Sequence, residues 1–109
     1  MTFTYQEALA MFPQVRHLTS IAFSQVESLV NRIQSFEELN SRRQEFEEAY
    51  QAIVQAWMDQ ITALGCEVKG LWSVDWDCGH GYYCWRFPEE CLAHFYDYGD
   101  DDQRRVPVN

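Results

Sequence analysis

Residues 75–86, DWDCGHGYYCWR, bring together two thiols, an imidazole, two carboxylates and a guanidinium. Zinc is the first chemistry such a set suggests. Cys78, His80 and Cys84 offer thiolate and imidazole donors, and Cys91 or His94 would complete a tetrahedral site. The spacing argues the other way. C-x-H-x₃-C is not the C-x₂-C knuckle that presents two thiolates to one ion, and no second such pair follows. If residues 82–87 form a strand, Cys84 shares a face with Tyr82 and Arg86, and Cys66 and Cys91 lie in similarly apolar strand contexts. There a free thiol packs as a small hydrophobe. The residues therefore favour no cofactor, with a zinc site on Cys78, His80 and Cys84 as the alternative.

Other chemistries find less. Asp75 and Asp77 ahead of Gly79, with the acidic run Asp100–Asp102, do not supply the regular oxygens and closing glutamate of a calcium loop. An Asx-type turn and a solvated acidic tail explain them more simply. A Cys–His nucleophile would have to pair Cys84 with His80 or His94, and nothing in the pattern aims either imidazole at the thiol. No glycine-rich phosphate cradle, nucleophile elbow or paired-histidine motif occurs. No catalytic residue is assigned, and the balance leans away from an enzyme. The remaining polar group is Arg86, with Glu89, Glu90 and Asp97 close along the chain. It reads as a buried ion pair fixing two strands or, less simply, as a site for a small ligand or peptide carboxylate.

The elements that must hold these residues come in two kinds. Thr4-Tyr5-Gln6-Glu7 matches a capping box, so a short helix is expected to start there and to be interrupted at Pro13. From Phe12 the apolar residues Val15, Leu18, Ile21, Ala22, Val26, Leu29, Val30 and Ile33 recur at helical spacing, giving a helix over 13–34 about 33 Å long. A break near 35–41, with a second capping-box candidate at 35–38, precedes another stripe. It runs through Phe46, Tyr50, Ile53, Val54, Trp57, Met58, Ile61 and Leu64, and Gly65 stands where a left-handed cap would end it. Two such helices make an antiparallel hairpin that cannot bury both stripes alone.

Past Gly65 the period changes to two. Cys66–Trp72, Gly81–Phe87 and Cys91–Asp97 read as strands, with Asp75–Gly81 as a turn. Pro88-Glu89-Glu90 reads as a three-residue hairpin loop, and a helix from Pro88 is the competing possibility. Residues 99–109 look like a flexible tail. The expected architecture is α+β: a long antiparallel helical hairpin (1–65) followed by a small three-stranded antiparallel sheet (66–98) in one domain.

The charge balance excludes several partners. Eight basic residues against 17 acidic ones give a net charge of −9, spread along the whole chain. No basic stripe exists for phosphates or an anionic bilayer, so neither nucleic acid nor membrane is an expected partner. The start of the chain lacks a charged and then apolar leader, and no apolar run spans a bilayer. A cytoplasmic protein with reduced cysteines is expected.

Several stretches carry a resemblance: FTYQEALAMFPQVR (3–16), ALGCEVKGL (63–71), VDW (74–76), YYCWRF (82–87) and the closing DDDQRRVPV. Together they resemble a bacterial family known only as domain of unknown function 2203, over nearly the whole chain. The resemblance implies a helical hairpin packed on a small antiparallel sheet, with no established activity. Trp85, Arg86, Glu89, Asp97 and Arg105 are the positions it carries over as a ligand-binding candidate. The family pattern departs here in two places. Pro88-Glu89 replaces a glycine-glutamate, and Phe95-Tyr96-Asp97 replaces a tryptophan-histidine-aspartate, which removes a histidine. The expected function is a non-enzymatic, self-associating interaction or scaffold domain, a homodimer through the helical hairpin. The alternative is a small-ligand or zinc site on the β half.

Overall fold

The computed structural model describes residues 1–108; the last residue of the expected tail, Asn109, lies outside them. Chain order is α1 (Tyr5–Asn31), α2 (Phe36–Ser41), α3 (Arg43–Ala63), β1 (Glu67–Gly70), β2 (Ser73–Asp77), β3 (Gly81–Arg86), β4 (His94–Asp97), a 3₁₀ turn (Asp102–Arg104) and β5 (Val106–Pro107). The class is α+β as expected, but the sheet has five antiparallel strands rather than three, in the order β1-β2-β3-β4-β5, and the expected break between the two long helices is itself a short helix, α2.

Thr4 caps α1 through a full capping box, its hydroxyl accepting from the Glu7 amide while the Glu7 carboxylate accepts from the Thr4 amide. The expected interruption at Pro13 is corrected: α1 runs through it for 27 residues, about 40 Å. Proline removes one backbone bond, yet Ala8, Phe12 and Val15 around it are buried against the sheet, and that burial outweighs the loss. Ser35 caps α2 by accepting from the Glu38 amide. Gly65 ends the third helix with φ 93°, as its position predicts, and an added Cβ would lie 2.5 Å from Met1 Sδ.

Three details of the β half differ from expectation. The strand expected over Cys66–Trp72 stops at Gly70. Leu71 and Trp72 then turn the chain, Trp72 at φ 63°, a costly conformation for a bulky residue. Its ring is held against Trp57 and Phe23, at centroid distances of 5.0 and 5.8 Å. The expected turn Asp75–Gly81 shrinks to Cys78–His80, because Ser73–Asp77 pairs with β3 along its whole length. The link from β3 to β4 is neither a three-residue loop nor a helix. It is an irregular segment around the cis peptide Phe87-Pro88 that drops Leu92 into the core.

Alternation sorts the sheet. Val74, Trp76 and Trp85 face the helices and are wholly buried with Ala8, Val15, Trp57 and Ile61. Thr19 is the polar member of this core; it donates to Val15 O and accepts from the Trp57 indole N–H at 2.8 Å, tying α1 to α3. The other face is covered by chain expected to be free. Residues 99–108 are not a loose tail: β5 pairs with β4, and Val108 N donates to Ala93 O at 2.9 Å. This strap was illegible because a two-residue strand ending in proline carries no periodicity.

Candidate functional site

The outer face of the sheet gathers the polar side chains. Register places Asp75, Cys84 and His94 in one row across β2, β3 and β4, with Asp77, Tyr82 and Tyr96 in the next. Although they sit on the face away from the helices, Asp75 and Cys84 are fully buried, and Tyr96 nearly so. The Tyr96 hydroxyl donates to Asp75 Oδ2, while Asp75 Oδ1 has no hydrogen-bond partner among the described residues. Burial pushes the Asp75 carboxyl above its ordinary range, partly offset by the Tyr96 hydrogen bond. Burial, and then the neighbouring Asp75, push the Cys84 thiol up to about 12. Such a thiol stays protonated near neutrality and is a poor nucleophile or metal ligand.

Two arginines hold the strap down. Arg105 forks onto Glu89 at 2.9 and 2.5 Å, and Glu89 Oε1 also accepts from the Arg86 amide at 2.9 Å. Burial pushes Glu89 up, but those bonds outweigh it and hold the carboxyl below its ordinary range. Arg86 bonds the Asp102 carbonyl at 2.6 Å and its carboxylate at 3.1 Å. Both guanidinium groups are thus spent on the chain itself, which is the structural role of an ion pair fixing strands.

Arg86, Glu89 and Arg105 of the carried-over set therefore do converge. Trp85 belongs to the core instead: its ring meets Phe12 edge-on at 5.3 Å and its indole donates to Glu89 O at 2.7 Å. Asp97 stands apart at the exposed end of β4, opposite Gly81. The zinc candidates separate as well. Cys78 Sγ lies 3.9 Å from both His80 ring nitrogens in the β2–β3 turn, and it donates to Gly81 O. Cys84 is buried opposite Asp75, and Cys91 is exposed on the connecting segment. Among the described residues no three His, Cys, Asp or Glu side chains are placed to hold one metal ion.

Beside the buried row lies a cleft of about 570 Å³, lined by Lys69, Asp77, three tyrosines (82, 96 and 98) and Asp100–Asp102. The Tyr82 ring lies 5.3 Å from both Tyr96 and Tyr98, and Lys69 Nζ sits 4.4 Å over its face. Tyr98 donates its hydroxyl to Asp77, which lowers the Asp77 carboxyl and raises the Tyr98 phenol to about 12. The aspartates read from sequence as turn and tail, and the tyrosines carry no motif. The available signal was parity: Asp75, Asp77, Tyr82, Tyr96 and Tyr98 all occupy alternate positions facing away from the helices.

A second surface lies at the far end of the hairpin. The sheet's cover reaches Phe23, whose ring meets Phe87 at 4.8 Å. Beside and beyond it, one groove runs along Ile21, Gln25, Leu29, Arg32, Ala52 and Ile53, and another along Val30, Ile33, Leu39, Phe46 and Tyr50.

The model of a family described as "Uncharacterized conserved protein (DUF2203)" matches residues 1–108. The chain belongs to this family. No curated protein and no solved structure matches it. In this DUF2203 chain Tyr96 supplies Asp75 with its hydroxyl donor. Among the described residues no helix is long and apolar enough to cross a membrane.

Proposed function

We infer that this chain is a non-enzymatic scaffold or interaction domain that pairs with a second copy of itself through the distal half of its hairpin. One observation carries the reading. Past Phe23 the two long helices have only each other and the short α2, and Val30 and Phe36 there are 56 and 76 % exposed, with Ile21 just before it 44 % exposed. A pair of helices needs a third layer, and two hairpins laid together make a four-helix arrangement. Charge favours a second copy at this end over any other. In a chain of net charge −9, three of the four basic residues in 1–65 (Arg32, Arg42 and Arg43) cluster there. Arg42 and Arg43 already pair with Glu38, Glu45 and Glu47, whereas Arg32 has no ion pair among the described residues. Across a two-fold axis a mixed-sign rim of this kind complements itself.

Four unpaired cysteines support the cytoplasm as the place where this assembly works. Light scattering on the eluting protein at micromolar concentration tests the pairing: a mass of twice 12.9 kDa is expected, and a strict monomer sinks it.

The outer face of the sheet supports a second activity, small-ligand binding. The observation behind it is the orphaned Asp75 Oδ1 under a tyrosine-lined cleft, because a buried carboxylate oxygen without a partner is costly to a fold and is retained more readily where a ligand uses the field it creates. A thermal-shift screen of small metabolites tests this reading, with a saturable rise in melting temperature expected and a flat response to every class counting against it.

A further inference from the structure

The cleft over β2–β4 has a chemical signature of its own. Four carboxylates (Asp77, Asp100, Asp101 and Asp102) line it against one ammonium, that of Lys69. Its remaining wall is three tyrosine rings, and the negative face of an aromatic ring attracts cations. Acidity alone would not define a site. Two further observations point to a cationic ligand. The wholly buried Asp75 lies beneath Tyr96 on the same face, one oxygen held by the hydroxyl that lines the cleft and the other unpartnered. When ionised, that carboxyl adds negative potential beneath the cleft without touching a bound cation, and a bound cation would in turn favour its ionised form. The chain's own ammonium also already occupies the aromatic wall, Lys69 Nζ lying 4.4 Å over the Tyr82 ring, with Glu67 Oε1 3.1 Å away. The lysine is tethered by one partly exposed ion pair, the kind of contact worth little in water. It behaves as a stand-in that a better-fitting cation displaces.

A metal ion fits poorly. A small hard cation needs several oxygens converging at close range, and no such group exists among the described residues. The carboxylates here are spread and each is partly engaged: Asp102 with Arg86, Asp100 with Arg104 at 4.0 Å, Asp101 capping the 3₁₀ turn at Gln103 N, and Asp77 with Tyr98 and the Gly79 amide. A spread of charge beside ring faces suits a ligand whose cationic groups are themselves spread along a chain, rather than one small hard ion.

We propose that this cleft binds an organic ammonium group, that of a polyamine or of a lysine side chain, on the Tyr82 face by displacing Lys69 beneath the acidic rim of Asp77 and Asp100–Asp102. The assignment rests on the reading of the outer face as a ligand site, and the test separates the two. Calorimetric titrations at low salt use spermidine and a blocked trilysine peptide as probes, since one ammonium chemistry has these two sources. The tighter binder identifies the source.

Saturable binding of at least one is expected. Tyr82→Leu is expected to weaken it ~3–5-fold, because a cation over an exposed ring is worth on the order of 1 kcal/mol or less. Lys69→Met is expected to tighten it several-fold. Arg16→Gln removes the same charge outside the cleft lining without vacating the ring, and is expected to change affinity less than about twofold. A Lys69→Met/Tyr82→Leu double variant should lose the gain. If neither probe binds, or if Tyr82→Leu leaves binding unchanged in a variant that melts cooperatively, the ammonium assignment is overturned. Citrate and inorganic phosphate are run alongside. A thermal shift from either of them, with none from spermidine, overturns the cation while leaving the outer face a ligand site, and silence from all four removes both.

Discussion

The two ends of one helical hairpin carry the same kind of apolar stripe and meet different fates. At the proximal end Ala8, Val15, Trp57 and Ile61 are sealed by Val74, Trp76 and Trp85 from the sheet. At the distal end Leu29 and Phe46 are buried, while Val30 and Phe36 face water. The molecule is accordingly long and thin, 49 × 24 × 22 Å. The lesson is that a helix stripe read from sequence states a demand for burial but not who meets it. One half of this demand is met inside the chain, and the other half is what the proposed second copy would meet.

Substitutions at the two ends should therefore behave differently. The largest effect is expected at Trp85, wholly buried on the helix-facing side and in edge contact with Phe12. Trp85→Ala should cost about 3–5 kcal/mol in urea unfolding, the range for emptying a core tryptophan site. A loss below 1 kcal/mol would mean that the proximal end is not the sealed core described here. Next comes the strap. Glu89→Ala leaves a mostly buried Arg105 without its fork and the Arg86 amide without an acceptor. About 2 kcal/mol is expected, the scale of a partly buried charged bond left one-sided. Amide exchange should then quicken through 102–108 before it does in β3. Exchange unchanged in that segment would show that the ion pair does not hold the strap.

Two carboxylates on the outer face should respond to acid in opposite directions. Glu89 is held below its ordinary range, so the stability it contributes is present above the unfolded value and is lost as pH falls through the lowered one. Asp75 is held above its ordinary range, so the folded chain keeps a proton that the unfolded chain releases. Its contribution is greatest below the unfolded value and declines as pH rises towards the raised one. Asp75→Asn preserves the acceptor for Tyr96 and removes that decline. The variant is expected to be at least as stable as wild type at pH 7, with a smaller gain on acidification, both read from melting curves across pH. A clearly less stable variant at neutral pH would show that the ionised carboxylate is favourable where it sits.

How far the sequence could be read follows the same division. The capping box at Thr4, the two stripes, the glycine cap at Gly65 and the strand containing Cys84 and Trp85 are local signals, and each appears where its pattern predicts. What escaped was non-local. The helix passes Pro13 because of what packs beside it, and β2 is a strand despite Asp75 and Asp77 because β3 pairs along all of it. The strap over 99–108 is held by arginines 16 residues away from their partners. The site divides likewise. Arg86, Glu89 and Arg105 were found and do converge, yet they serve the strap, while the cleft is built from tyrosines and aspartates whose shared face becomes visible only once the register is known.

The smallest effect on folding, and the sharpest test of the comparison, belongs to the distal end. Val30→Glu places a charge on the bare stripe and should change monomer stability by about 0.5 kcal/mol or less, as exposed substitutions do. Light scattering of wild type and Val30→Glu, side by side at micromolar concentration, reads the central claim directly. The account predicts a mass of twice 12.9 kDa for wild type and 12.9 kDa for the folded variant. Monomeric wild type, or a variant that remains paired, would contradict it.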